Sequence, residues 1–244
     1  MAVTDRALPP GVLSVHALPA DHHDGPWDHI LVPAGTKERL LNQALLTLVH
    51  GRALATLAGL PHGLIVLAGP PGTGKTTLLR SLAKQWQDWC QVDCVLDPER
   101  LFNEPGYLME VAVGYDTDEE AQRWRLLVLE DCDELISSSA KAQTGQGLSR
   151  LLNLTDGLLG QGRDVLVAIT TNEDLTRLHP AVVRPGRCLA QIEIGPLTRN
   201  EAVGWLGSSE GVGPSGATLA ELYALRSGRA IPAPTEGEST GLYL

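Results

Sequence analysis

The 244-residue chain is short of several things, and each shortage narrows what it does. No apolar run approaches the roughly 20 residues that a helix needs to cross a bilayer. The first residues, MAVTDRALPPG, hold neither a basic n-region nor an apolar h-region. A membrane role is therefore not expected, and a soluble, cytoplasmic protein is. The 4 cysteines, Cys90, Cys94, Cys132 and Cys188, form no C-x-x-C pair and have no companion histidine at zinc spacing. That favours buried reduced thiols over a disulfide or a metal site. Positive charge is also scarce: 19 Lys and Arg stand against 29 Asp and Glu, for a formal net charge of −10. Because the basic residues are scattered and a phosphate-backbone surface needs them clustered, nucleic acid is disfavoured and a protein or peptide partner fits better.

What the chain does have is 43% hydrophobic residues, enough at this length for one α/β domain with a small appendage. It also has GPPGTGKT, Gly69 to Thr76, which matches the phosphate-cradling pattern G-x-x-x-x-G-K-[ST] at every fixed position. The apolar run Leu64-Ile65-Val66-Leu67-Ala68 predicts a buried strand before it, and residues 77–89 predict a helix after it. A triphosphate is best held by converging backbone N–H groups, and glycines let the main chain approach without a Cβ clash. Gly69, Pro70, Pro71, Gly72, Thr73, Gly74, Lys75, Thr76 and Thr77 are the expected binding positions. Lys75 brings a flexible charge for the β- and γ-phosphates, the Thr76 hydroxyl is placed to ligate Mg²⁺, and the helix adds its positive dipole end.

The N-terminal stretch has one apolar alternation, Gly11 to His16, which reads as an edge strand or as the remnant of an upstream domain. His22 and His23, beside Asp21 and Asp24, read as polar linker. Residues 37–60 carry Leu40, Leu41, Ala44, Leu45, Leu48 and Val49 at helical spacing. After the phosphate helix, residues 92–96 predict a second strand. Gly106-Tyr107-Leu108-Met109 then forms an aromatic-aliphatic tip that is either folded into the core with Leu101 and Phe102 or held out to grip something.

Leu126-Leu127-Val128-Leu129 predicts a further strand ending in Glu130 and Asp131. Nucleotide hydrolysis needs one acid for the Mg²⁺ shell and another to polarise the attacking water, both at the carboxyl edge of the sheet. The usual order is Asp then Glu; here Glu130 comes first and is assigned to Mg²⁺, with Asp131 assigned to the water. Asp133 and Glu134 follow as the next candidates for the base. The strand expected over residues 164–171 ends at Asn172, whose amide could bridge the attacking water and the γ-phosphate. Leu178 to Arg187 leads to an alternating strand over residues 189–194.

Taken together, the phosphate loop, the acidic strand end, the Thr-Asn strand end and the RPGR segment resemble the AAA ATPases over about residues 27–228. The resemblance implies an α/β fold with a doubly wound parallel sheet in strand order 5-1-4-3-2 and a small, truncated helical lid. It implies ATP and Mg²⁺ as cofactors and a homo-oligomer, a hexameric ring, acting on a protein or peptide. It makes Lys75 and Thr76 Walker A residues, Glu130 and Asp131 Walker B, Asn172 sensor 1, and Arg184 and Arg187 arginine fingers reaching a neighbouring subunit's γ-phosphate. The segment from Trp27 through Ile30 to Leu31 would lie against the adenine, and the Tyr107 tip stands where the family has a pore loop. Ser215-Gly216-Ala217 mimics the opening of a later lid helix but comes too soon after Pro196 for that register, so no second sensor is assigned.

The expected division is a linker or upstream remnant over 1–25, the nucleotide-binding domain over 26–195, a reduced lid over 196–228, with helices over 197–206 and 218–226, and a disordered tail over 229–244. Three functions compete: a ring-forming ATPase that remodels or threads a protein, a DNA-associated loader or helicase-like ATPase, and a nucleotide-gated scaffold with little hydrolysis.

Overall fold

A strand covered on both faces needs a nearly continuous apolar run, and the computed structural model gathers the apolar runs of this chain into one sheet. It describes residues 10–14, 31–40, 62–113, 124–136, 149, 165–180, 182 and 188–228. Strands β1 (Val12–Ser14), β2 (His62–Ala68), β3 (Cys90–Val95), β4 (Trp124–Leu129), β5 (Val165–Thr171) and β6 (Cys188–Glu193) lie in the order β1-β3-β4-β5-β2-β6. β2 to β6 pair in parallel, and β1 runs antiparallel along β3 as an edge strand. No helix among the described residues is long and apolar enough to cross a membrane.

Side chains alternate along each strand, so the two faces take different partners. Ile65, Leu67, Leu126, Val128, Leu166 and Ala168 are covered by helix α1 (Lys75–Trp86) through Leu78, Leu79, Leu82, Ala83 and Trp86. The helix expected over 77–89 thus begins at Lys75 and keeps its inward stripe. Truncating the fully buried Leu82 to Ala would cost about 2–5 kcal/mol. Leu64, Val66, Leu127, Leu129, Val167 and Ile169 lie on the other face with α2 (Pro98–Asn103), α3 (Pro105–Val113) and α4 (Asp133–Ile136). Residues 36–40 are helical; the remainder of the helix expected over 37–60 lies outside the described residues.

The Tyr107 tip is not held out. It is part of α3, where Tyr107, Leu108 and Val111 fall on one side and pack with Leu101 and Phe102 of α2. Tyr107 is 4% exposed, and the Arg100 guanidinium sits 4.3 Å from the centre of its ring. The core alternative is the one the structure adopts, because the aromatic fills the angle between two short helices and the sheet.

An unexpected charged pair lies under the same face. Arg125, inside the apolar strand β4, donates from Nε to Asp93 Oδ2 on β3 at 2.8 Å, and both side chains are buried. Gln91 Nε2 donates to Asp93 Oδ1 at 2.9 Å, and Arg125 Nη1 reaches the Ala112 carbonyl at 3.4 Å, tying α3 to the sheet.

Beyond Pro196 two helices, α5 (Arg199–Leu206) and α6 (Leu219–Arg226), build a separate apolar cluster from Leu197, Ala202, Val212, Ala217 and Leu222. Each starts with a capping box, Thr198 with Glu201 and Thr218 with Glu221, so two backbone donors at each N-terminus are satisfied reciprocally. Glu201 also accepts the Ala34 N–H at 2.9 Å, fastening the segment after residue 30 to α5. Leu197 pairs with Ala217 in an antiparallel bridge. Ser215-Gly216-Ala217 therefore leads straight into α6 despite its closeness to Pro196.

Candidate functional site

β4, β5 and β2 are neighbours running the same way, so their carboxyl ends deliver the acidic pair, Asn172 and the phosphate loop to one edge. The loop leaves β2 at Gly69, whose N–H donates to the Thr171 carbonyl at 3.1 Å. Gly72 has a φ of 78°, and a Cβ there would sit 2.9 Å from the Cβ of Ala220 at the start of α6. The same helix start donates the Ala220 N–H to the Gly72 carbonyl at 3.0 Å. The start of α6 thus rests directly on the phosphate loop, a contact the sequence reading missed.

Lys75 is 7% exposed. Its Nζ donates to the carbonyls of Gly69 at 2.7 Å and Pro70 at 3.1 Å, and to Asn172 Oδ1 at 2.8 Å. Burial lowers its pKa below the usual lysine value, while the charges of Asp131, Asp133 and Glu130 work in the opposite direction. Thr73 is buried and donates from Oγ1 to the Pro70 carbonyl at 2.9 Å. Thr76 is exposed on the first turn of α1, Thr77 is half-buried beside it, and Pro70 and Pro71 are exposed on the loop's outer side. The first N–H groups of a helix have no partner within it, which makes this turn suited to an anion.

The acidic strand end places its carboxylates in three different surroundings. Glu130 is half-buried, and its Oε1 is buried with no hydrogen-bond partner in the protein. A buried carboxylate oxygen without a donor is costly, and a cation beside it would relieve that cost; the donor set therefore fits Mg²⁺. Asp131 is exposed with φ at 51°, the one non-glycine residue in the left-handed region among those described. Thr170 holds it there, its Oγ1 accepting from Asp131 N at 3.1 Å and its carbonyl from Cys132 N at 3.1 Å.

Asp133 is tied to the end of β5. Its Oδ1 accepts from Thr171 Oγ1 at 2.6 Å and Asn172 N at 2.7 Å, and its Oδ2 accepts from Asn172 Nδ2 at 3.1 Å. Burial raises its pKa, but the bonds from Thr171 and Asn172 and the Lys75 charge outweigh that and leave it below the usual carboxylate range. Only a third carboxylate just after the strand end, at the start of a short helix, hinted at this in the sequence. Asp97, Glu99 and Glu134 join Glu130, Asp131 and Asp133 around a cleft of about 650 Å³ beside the strand ends.

Lys75, Asn172, Glu130 and Asp131 are thus gathered at one edge. Arg184, Arg187 and Ile30 lie outside the described residues, as does Trp27. Leu31 packs against the α5–α6 cluster and Val32 against the α1 side of the sheet.

Residues 65–196, just over half of the chain, match the model of the ATPase family associated with various cellular activities (AAA). The chain belongs to the AAA family. This AAA chain is 32% identical over 179 residues to the ATPase family gene 2 protein homolog B of Rattus norvegicus, covering 70% of the chain and 23% of that protein. It is 41% identical over 81 residues to the CD-NTase-associated protein 6 of Pseudomonas aeruginosa, covering 33% of the chain and 26% of that protein. It therefore spans about a quarter of the length of these curated relatives or less. Among solved structures, it resembles a chain of the E. coli MS115-1 HORMA:CdnC:Trip13 complex with a TM-score of 0.51 at 23% identity, over 72% of this chain and 68% of that one. At that identity the likeness is one of fold, a mixed α/β architecture around a mostly parallel sheet. AAA membership carries nucleotide binding with it.

Proposed function

We propose that the chain binds ATP with Mg²⁺ on the Gly69 to Thr76 loop and hydrolyses it as one subunit of an oligomeric ring that remodels or threads a protein partner. The observation that carries this reading is the convergence of Lys75, Asn172 and the Glu130-Asp131 pair at one sheet edge, with a buried carboxylate oxygen lacking a donor. Counted from β2 as the first strand, the observed order β6-β2-β5-β4-β3 fits the 5-1-4-3-2 sheet of such ATPases, with β1 added at the edge. The separate cluster beyond Pro196 supports a division between a nucleotide-binding domain over 26–195 and a reduced lid over 196–228.

In this reading Lys75 exchanges loop carbonyls for β- and γ-phosphate oxygens, and the N–H groups at the start of α1 hold the phosphates. Thr76 and Glu130 hold the Mg²⁺ shell, and the metal neutralises charge on the phosphates when bound. Asp131, exposed at the mouth of the cleft, orients and polarises the attacking water. Arg184 and Arg187 serve the site of a neighbouring subunit, which makes an isolated subunit a poor enzyme. A protein partner agrees with the formal charge of −10 and with the name of the Pseudomonas relative, which describes that protein as associated with a CD-NTase.

A nucleotide-gated scaffold with little turnover is the second reading, favoured by the left-handed backbone at Asp131. Phosphate release from Mg·ATP, followed against protein concentration, separates the two. The ATPase reading requires specific activity to rise as subunits associate. It also requires mixtures of Arg187→Ala and Lys75→Ala proteins to regain activity that neither shows alone. Absence of turnover at every concentration, with ATP bound, would leave the scaffold; concentration-independent activity without complementation would make the protein a monomeric ATPase.

A further inference from the structure

We infer that Asp133 is a positioning residue that locks the Asn172 side chain with its carbonyl oxygen turned toward Lys75 and its amino group turned onto Asp133. The inference rests on the nucleotide-site reading above. An amide has two orientations of nearly identical shape, so the choice between them lies with its neighbours. Here one neighbour can only donate and the other can only accept. Lys75 Nζ lies 2.8 Å from Asn172 Oδ1, and Asp133 Oδ2 lies 3.1 Å from Asn172 Nδ2. Flipping the amide would set its NH₂ against an ammonium and its oxygen against a carboxylate, losing two charge-assisted bonds at once.

Asp133 is itself held for this task. Its Oδ1 takes the Thr171 hydroxyl and the Asn172 backbone N–H, so the carboxylate is clamped to the end of the strand whose amide it orients. With its oxygens engaged by three donors, Asp133 is badly placed to take a proton from water. It therefore drops out as an alternative base, although it follows the acidic pair closely in sequence.

The consequence for the reaction is specific. An amide bridging the attacking water and the γ-phosphate would have to turn donor hydrogens toward the phosphate. The locked amide commits one of its two amino hydrogens to Asp133 and turns its acceptor oxygen to the Lys75 side, suited to the Lys75 ammonium and to an O–H of the attacking water. Asp133 thereby acts through Asn172 on water alignment, and ATP affinity remains the business of the loop and Lys75.

The test combines turnover with a readout that needs no hydrolysis. The Asn172 side-chain NH₂ signal is assigned in ¹⁵N-edited NMR spectra by its loss in Asn172→Ala, then followed in Asp133→Asn without nucleotide. It should shift, because its carboxylate acceptor is gone, while a fluorescent ATP analogue binds within about threefold of the parent and kcat falls about tenfold or more. In the Asn172→Ala background Asp133→Asn should add little further loss of kcat, as expected for residues acting as one unit. Asp133→Glu, which keeps an acceptor-only group, should retain more activity than Asp133→Asn and supplies the comparison if the Asn variant does not fold.

An unchanged Asn172 signal in Asp133→Asn, full additivity of the two changes, or equal losses in the Asn and Glu variants would overturn the inference. If the parent turns over no ATP, the hydrolysis reading fails while the NMR arm still decides the orientation.

Discussion

Lys75 Nζ and Asn172 Oδ1 are 2.8 Å apart, a hydrogen bond between residues 97 positions apart in the chain. The same ammonium also holds the Gly69 and Pro70 carbonyls, so losing Asn172 leaves its other partners in place. Asn172→Ala is therefore expected to change ATP affinity by less than about threefold and to lower kcat by about 10²-fold or more. Nucleotide titration beside steady-state phosphate release measures both. A parallel loss of affinity would mean that Asn172 serves binding.

Asp133 gives a pH prediction with a definite sign. Its folded-state pKa is lowered, burial being outweighed by hydrogen bonds from Thr171 and Asn172 and by Lys75. The stability it contributes is present above the ordinary aspartate pKa and is lost as pH falls through the lower folded value. Urea denaturation of the parent should show that loss below about pH 4, and Asp133→Asn should show a shallower acid limb. Parallel limbs would contradict the assignment of charge-dependent bonds to this carboxylate.

The Asp93–Arg125 pair makes a stability prediction away from the site. Both side chains are buried and 2.8 Å apart, so removing one leaves a buried charge uncompensated. Arg125→Met should destabilise by about 3–5 kcal/mol, read from urea midpoints, whereas a double change that also replaces Asp93 by Leu should recover a large part of the loss. A single variant as stable as the parent would show that the pair is not desolvated in solution.

The cysteines should be poorly reactive while the chain is folded. Burial pushes the Cys90 thiol up to about 12 and Cys94 and Cys188 up to about 11, and drives Cys132 higher still. The thiolate is the reactive form, so a thiol reagent at pH 8 should label the native protein on the order of a hundredfold more slowly than denatured protein. Fast labelling of Cys94, which lines the acidic cleft, would indicate local opening there.

Much of this was legible because it depends on local pattern. The apolar runs around Leu64, Leu126 and Val165 could only be covered strands, and the fixed residues of the phosphate loop left little choice for the turn between β2 and α1. The tip around Tyr107 was ambiguous because aromatic and aliphatic residues beside turn formers suit either exposure or burial. Packing against Leu101 and Phe102 decided it, a contact between elements that no local period encodes. Asp133 was visible only as a nearby acid, and its bond from Asn172, the Asp93–Arg125 pair and Ala220 on Gly72 were illegible for the same reason. Each depends on which strands or helices become neighbours, and a charged residue in or after an apolar run looks the same whether or not a partner awaits it.

The central claim, a nucleotide site built on Lys75, is met most directly by calorimetric titration of Mg·ATP into the parent and into Lys75→Ala, with melting curves for both. The parent should bind saturably, and the variant should fold and lose affinity by at least about tenfold, since a charge-assisted contact to the phosphates is gone. A parent that does not bind, or a folded Lys75→Ala protein with parental affinity, would contradict it.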